Sequence, residues 1–168
     1  MATRDEWAVA FAKQAAADLD AYFHLTAVAG LPACQSLHFL QMACEKLAKA
    51  HLISGGQDPE ALRSHGYTAG TLPVILRDQL SLAGDDKVAR GLQWYIARLA
   101  DLIDVLSPSI DRGGQCPENC EYPWADGWGR VWVPAEWEFT AEQLIEDPRA
   151  TRALKLIDQA IDRFVEGT

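Results

Sequence analysis

Apolar residues recur at three- and four-residue spacing along most of this chain, which predicts five helical segments. The first runs from about Arg4 to Ala27, with Trp7, Phe11, Ala15, Leu19, Tyr22 and Phe23 along its stripe. Gly30-Leu31-Pro32 breaks it, and Pro32 suits the first turn of a second helix that stops at Ser54-Gly55-Gly56. A polar connection follows, with a helical turn around Pro59–Arg63, and a third helix spans about Thr71 to Leu82 with Leu72, Ile75, Leu76 and Leu80 inward. The fourth has the cleanest period: Asp85 as N-cap, then Val88, Leu92, Tyr95, Ile96, Leu99, Leu102, Ile103 and Leu106, ended by Ser107-Pro108. Thr140 with Gln143 reads as a capping box, and Asp147-Pro148 starts a last helix with Leu154, Ile157, Ile161 and Phe164 inward.

The second helix stands apart. Over Leu37–Leu52, His38, Glu45 and Lys49 line up in one narrow polar stripe, with Gln41 and Lys46 on its margins. Leu37, Phe39, Leu40, Ala43, Cys44, Leu47 and Ala50 fill most of the remaining arc. A helix this apolar belongs at the centre of a bundle. Its charged stripe then faces either solvent, as a Glu45–Lys49 ion pair, or something to be recognised.

After the fourth helix the composition changes. Arg112 to Trp137 is rich in Gly and Pro and holds four of the six tryptophans. The segment WGRVWVPAEWEF suits a short two-stranded ribbon, with Pro134 confining any pairing to an edge. Folded onto the bundle, these tryptophans make a secondary core. Any that stay exposed, with Tyr122, Trp124 and Trp128 as candidates, form a surface for a protein partner with a basic face. The expected fold is therefore all-α: one domain over 1–168, an antiparallel bundle of about five helices with a Trp-rich insertion at about 108–139.

Charge sharpens the partner question. The formal net charge is −9, and the stretch from Ile110 to Asp147 holds nine acids against Arg112 and Arg130. Sequence-independent nucleic-acid binding relies on neutralising phosphates, so it is not expected here. No apolar run is long enough to cross a membrane, and the N-terminus lacks the apolar core of a secretory signal; a cytoplasmic protein is expected. Cys34 and Cys44 sit inside the second helix as small hydrophobes. Cys116 and Cys120 bracket a loop at a spacing that differs from the usual metal knuckle, so no metal and no cofactor is expected.

Gln41-x3-Glu45-Lys46-x2-Lys49-Ala50, behind an amphipathic first helix and ahead of Ser64-His65-Gly66, resembles the HEPN family of helical domains over roughly Glu6 to Leu106. The later CPENCEYPW segment looks like an extension of a HEPN-like subgroup. The resemblance implies a helical bundle that dimerises, with roles in toxin–antitoxin systems, antiviral defence, RNA cleavage or nucleotide binding. Its ribonuclease members carry an arginine, four to six residues, then a histidine. Here His24, His38 and His51 have no arginine within ten residues upstream, and Arg63 stands too close to His65. The expectation is a non-catalytic, homodimeric interaction or nucleotide/RNA-associated module with no catalytic residues and a candidate binding face of His38, Gln41, Glu45, Lys49, His65 and Arg98. The alternative is a divergent metal-independent ribonuclease or nucleotide-modifying enzyme using His65 or His38 with Arg98 or Arg112.

Overall fold

The computed structural model describes residues 2–82, 86–108 and 119–166. Its helices are α1 (Arg4–Thr26), α2 (Ala33–Ser54), α3 (Thr68–Leu82), α4 (Asp86–Asp104), α5 (Thr140–Ile145) and α6 (Pro148–Glu166). Between α4 and α5, β1 (Trp124–Ala125) pairs antiparallel with β2 (Val131–Trp132). The class is all-α, as the periodicity predicts. Asp85, Arg112 and Cys116, given roles by the sequence, lie outside the described residues, as does the side chain of Val88.

α1 starts where local chemistry says it should. Thr3 Oγ1 accepts from Glu6 N at 3.2 Å, and Thr3 N donates to Glu6 Oε2 at 2.6 Å, a reciprocal capping box. Its inward face is built from Ala8, Ala12, Ala15, Leu19 and Tyr22, whereas Trp7 and Phe23 are exposed. Small residues inside let α2 approach closely, and the larger aromatics are displaced to the flank.

α2 occupies the centre: among its residues only Gln35 and Ser54 are exposed. Pro32 precedes the helix as its N-cap residue instead of entering its first turn. The main core joins Leu40, Ala43, Cys44 and Leu47 of α2 to Leu19 and Tyr22 of α1, Leu72 and Leu76 of α3, Tyr95 and Leu99 of α4, and Ile157 and Ile161 of α6. The predicted stripes of α3 and α4 are all buried wherever their side chains are described.

Three local readings need correction. α3 begins at Thr68, ahead of the expected Thr71, because Asp104 reaches across from α4 and accepts from Thr68 N at 3.1 Å. The N-cap of α5 is Phe139, with no side-chain cap, so the Thr140–Gln143 capping box does not form. Phe139 is instead fully buried, and that packing sets where α5 starts. The ribbon, finally, sits earlier than WGRVWVPAEWEF suggests: Trp124 pairs with Trp132 and Ala125 with Val131, while Pro134 opens a short 3-10 turn.

The insertion folds back on the bundle. Cys120, Phe139 and Ala141 pack with Cys34 and Leu37 of α2, Leu102 of α4 and Leu106 just beyond its end in a second core. Trp137 makes edge-on contacts with Trp124 at 5.4 Å and Trp132 at 4.9 Å between ring centres. This is the secondary aromatic core expected from composition.

Candidate functional site

The polar stripe of α2 points into the protein. Glu45 is 3% exposed and Lys49 7% exposed, so the solvent-facing ion pair admitted by the sequence is corrected to a buried one. Lys49 Nζ donates to Glu45 Oε1 at 2.7 Å, and Gln41 Nε2 donates to Glu45 Oε2 at 2.9 Å. The helix presents these three side chains in one row because they recur at four-residue spacing.

The connection between α2 and α3 closes over that row. His65 Nδ1 lies 2.6 Å from Glu45 Oε2. An ionised carboxylate only accepts, so Nδ1 carries the hydrogen and Nε2 is the basic nitrogen of the neutral ring. Burial pushes the Glu45 carboxyl up, but hydrogen bonds from Lys49, His65 and Gln41, with the Lys49 charge, outweigh it and hold the group below the usual carboxylate range. Two residues on, Tyr67 places its ring 5.8 Å from Lys49 Nζ and its hydroxyl 2.8 Å from Ser64 Oγ. Glu45 thus has three side-chain donors, and the connection is fastened to α2.

Of the six residues expected on one face, the structure unites Gln41, Glu45, Lys49 and His65. His38 lies on the same row but serves the insertion: its Nδ1 is 3.6 Å from Glu121 Oε1, and its ring meets Phe39 edge-on. Arg98 is exposed on α4 and, among the described residues, no hydrogen bond or ion pair joins it to the cluster.

Sequence reasoning quoted Ser64 without giving it a contact, and missed Tyr67 and Asp104. It also missed a second buried ion pair on the other flank of α2, where Lys46 donates to Asp18 and Gln14 Nε2 donates to the same carboxylate at 3.1 Å. A signal was available for that pair: Asp18 falls on the inward arc of α1, between Ala15 and Leu19.

The thiols of Cys34, Cys44 and Cys120 are buried and kept protonated. Burial pushes Cys44 up to about 12 and raises Cys34, and Cys120 is raised by burial beside Cys34 and Glu121. Among the described residues no group of three His, Cys, Asp or Glu side chains is placed to hold a metal. A cleft of about 260 Å³ opens elsewhere, at the end of α2 between α3 and α6, lined by His51, Asp78, Arg163 and Phe164.

The expected partner surface divides. Trp124 is buried and leaves it, while Trp128 is 95% exposed and Tyr122 60% exposed. Among the described residues no helix is long and apolar enough to cross a membrane. No family model, no curated protein and no solved structure matches this chain.

Proposed function

We propose that this chain is a non-catalytic, HEPN-like interaction module, homodimeric and serving a defence or toxin–antitoxin system. One observation carries the reading: the charged row of α2 is occupied by the protein itself. Glu45 accepts from Gln41, Lys49 and His65, all within the same chain. Lys49 is spent on that carboxylate, so it is not offered to a phosphate. A satisfied buried network of this kind positions backbone elements, here the 64–68 connection against α2. Recognition then belongs to outward faces.

A second reading rests on the same contact. A carboxylate holding Nδ1 of a histidine is the arrangement that orients a general base, and the His65 side chain stays 40% exposed. An enzyme acting on RNA or a nucleotide would also need a cation near the developing charge on phosphorus. Lys49 is turned inward on Glu45, and Arg98 is not joined to the cluster. The interaction module is therefore preferred.

The deciding experiment incubates the purified chain with structured and unstructured RNA, beside His65→Ala and Arg98→Ala variants. No turnover above background is expected from any of them. Cleavage that survives stringent purification and disappears with His65→Ala would replace the module by the enzyme.

A further inference from the structure

The ribbon of the insertion is dressed the wrong way round for a surface hairpin. Side chains alternate across a strand, so the pair Trp124–Trp132 and the pair Ala125–Val131 lie on opposite faces. Trp124 and Trp132 turn inward to Trp137. A ribbon with one face packed normally carries polar residues on the other. Here the outer face shows Val131 at 65% exposure with Val133 at 41%, and Ala125 and Pro123 are exposed beside them.

At the tip stands Trp128, and it is held. Asp126 Oδ1 accepts from Trp128 N at 2.9 Å and from Arg130 N at 3.0 Å, and Asp126 Oδ2 accepts from Trp132 Nε1 at 3.0 Å. Gly129 supplies the left-handed residue that closes the turn, at φ +80°. Arg130 lies flat over the inner Trp132, 3.9 Å from its ring centre. The indole is therefore presented on a fixed backbone turn, and tryptophan is the side chain most enriched at binding hot spots.

Charge tells what covers it. Glu121, Glu136 and Glu138 are exposed on the segments flanking the ribbon, and the whole chain carries −9. Two copies of so acidic a surface repel, whereas a cationic rim is attracted. We infer that the outer ribbon face, with Trp128 as its anchor, docks a protein segment that combines large apolar side chains with lysine or arginine. This rests on the interaction-module reading and gives it a surface and a partner chemistry.

The test pans the full chain against a phage-displayed library of random peptides and measures affinities of recovered peptides. Peptides rich in Lys or Arg with large apolar residues are expected. Their binding should weaken at least tenfold in Trp128→Ala and in Val131→Asp, and fall as salt is raised. Trp94→Ala, which removes another exposed indole on α4, should leave binding unchanged. Specific peptides lost with Trp94→Ala but indifferent to Trp128→Ala would overturn this surface while leaving the module reading intact. Recovery of acidic peptides, or of none, would overturn the proposal. So would sedimentation showing a dimer that Trp128→Ala dissolves, since a second copy would then be the occupant. RNA cleavage dependent on His65 would sink the module reading by itself, whatever the peptides do.

Discussion

The row along α2 and the outer face of the ribbon are mirror images of misplacement. In one, a glutamate and a lysine lie inside the protein; in the other, two valines and a tryptophan lie outside. The buried charges are paired with each other inside the chain, and Glu45 takes further donors from Gln41 and His65, so they ask nothing of a partner. The exposed apolar residues have no such answer within the chain. The difference teaches that polarity alone does not locate function: the charged group here is architecture, and the apolar group is the one left wanting contact.

The comparison breaks first at Glu45. Glu45→Ala leaves Lys49 buried without its counter-charge, and removal of one partner of such a pair costs ~3–5 kcal/mol. Urea unfolding should show that loss, and the double change Glu45→Leu, Lys49→Met should recover most of it. A Glu45→Ala protein as stable as wild type would mean that the row is solvated.

Acid should strike the same place. The folded-state pKa of Glu45 lies below the ordinary value of 4.5, so its contribution is full above that value and is lost as pH falls through the lowered one. Asp147, held down to about 2 by the hydrogen bonds from Arg149, follows the same sign. Wild type should therefore lose stability progressively below pH 4.5, and the Glu45→Leu, Lys49→Met variant should lose less of it over that range. Parallel pH curves for the two proteins would place the acid-labile group elsewhere.

In the ribbon a smaller, local effect is expected. Asp126→Ala removes the acceptor of Trp132 Nε1 and of two turn amides, so the Trp132 indole hydrogen should exchange faster with solvent while the bundle's unfolding midpoint holds. A shifted midpoint would show that insertion and bundle unfold as one unit. Smallest of all, Trp128→Ala should change stability by no more than about 0.5 kcal/mol, because an exposed side chain loses little by truncation. Its chemical denaturation curve should overlay that of wild type.

The same contrast explains what could be read from the chain. The α4 stripe, the Ser54-Gly55-Gly56 stop and the Asp147-Pro148 start are local signals, and they hold; Arg149 N donates to Asp147 Oδ1 at 2.8 Å. The start of α3 was hidden because its cap, Asp104, lies 36 residues away. Glu45 and Lys49 at i,i+4 spacing look the same in sequence whether wet or buried; only the 64–68 connection folding over them decides. The neighbourhood of Gln41, Glu45, Lys49 and His65 was legible as a group, whereas its inward direction was not. Trp124 and Trp128 are likewise indistinguishable by composition, and it is the pairing of Trp124 with Trp132 that turns one inward.

The polar contacts on the two flanks of α2 bear on how the chain finds its shape. A helix greasy on nearly every side can be rolled, or slid by one turn of about 5.4 Å, and still bury its leucines. Lys46 meeting Asp18 of α1 on one flank and Glu45 meeting His65 of the connection on the other act as teeth on a key. Any rolled or slipped docking parts Lys46 from Asp18 and Glu45 from His65, so the compact competitors that differ only in the rotation of α2 are raised together, and one seating remains.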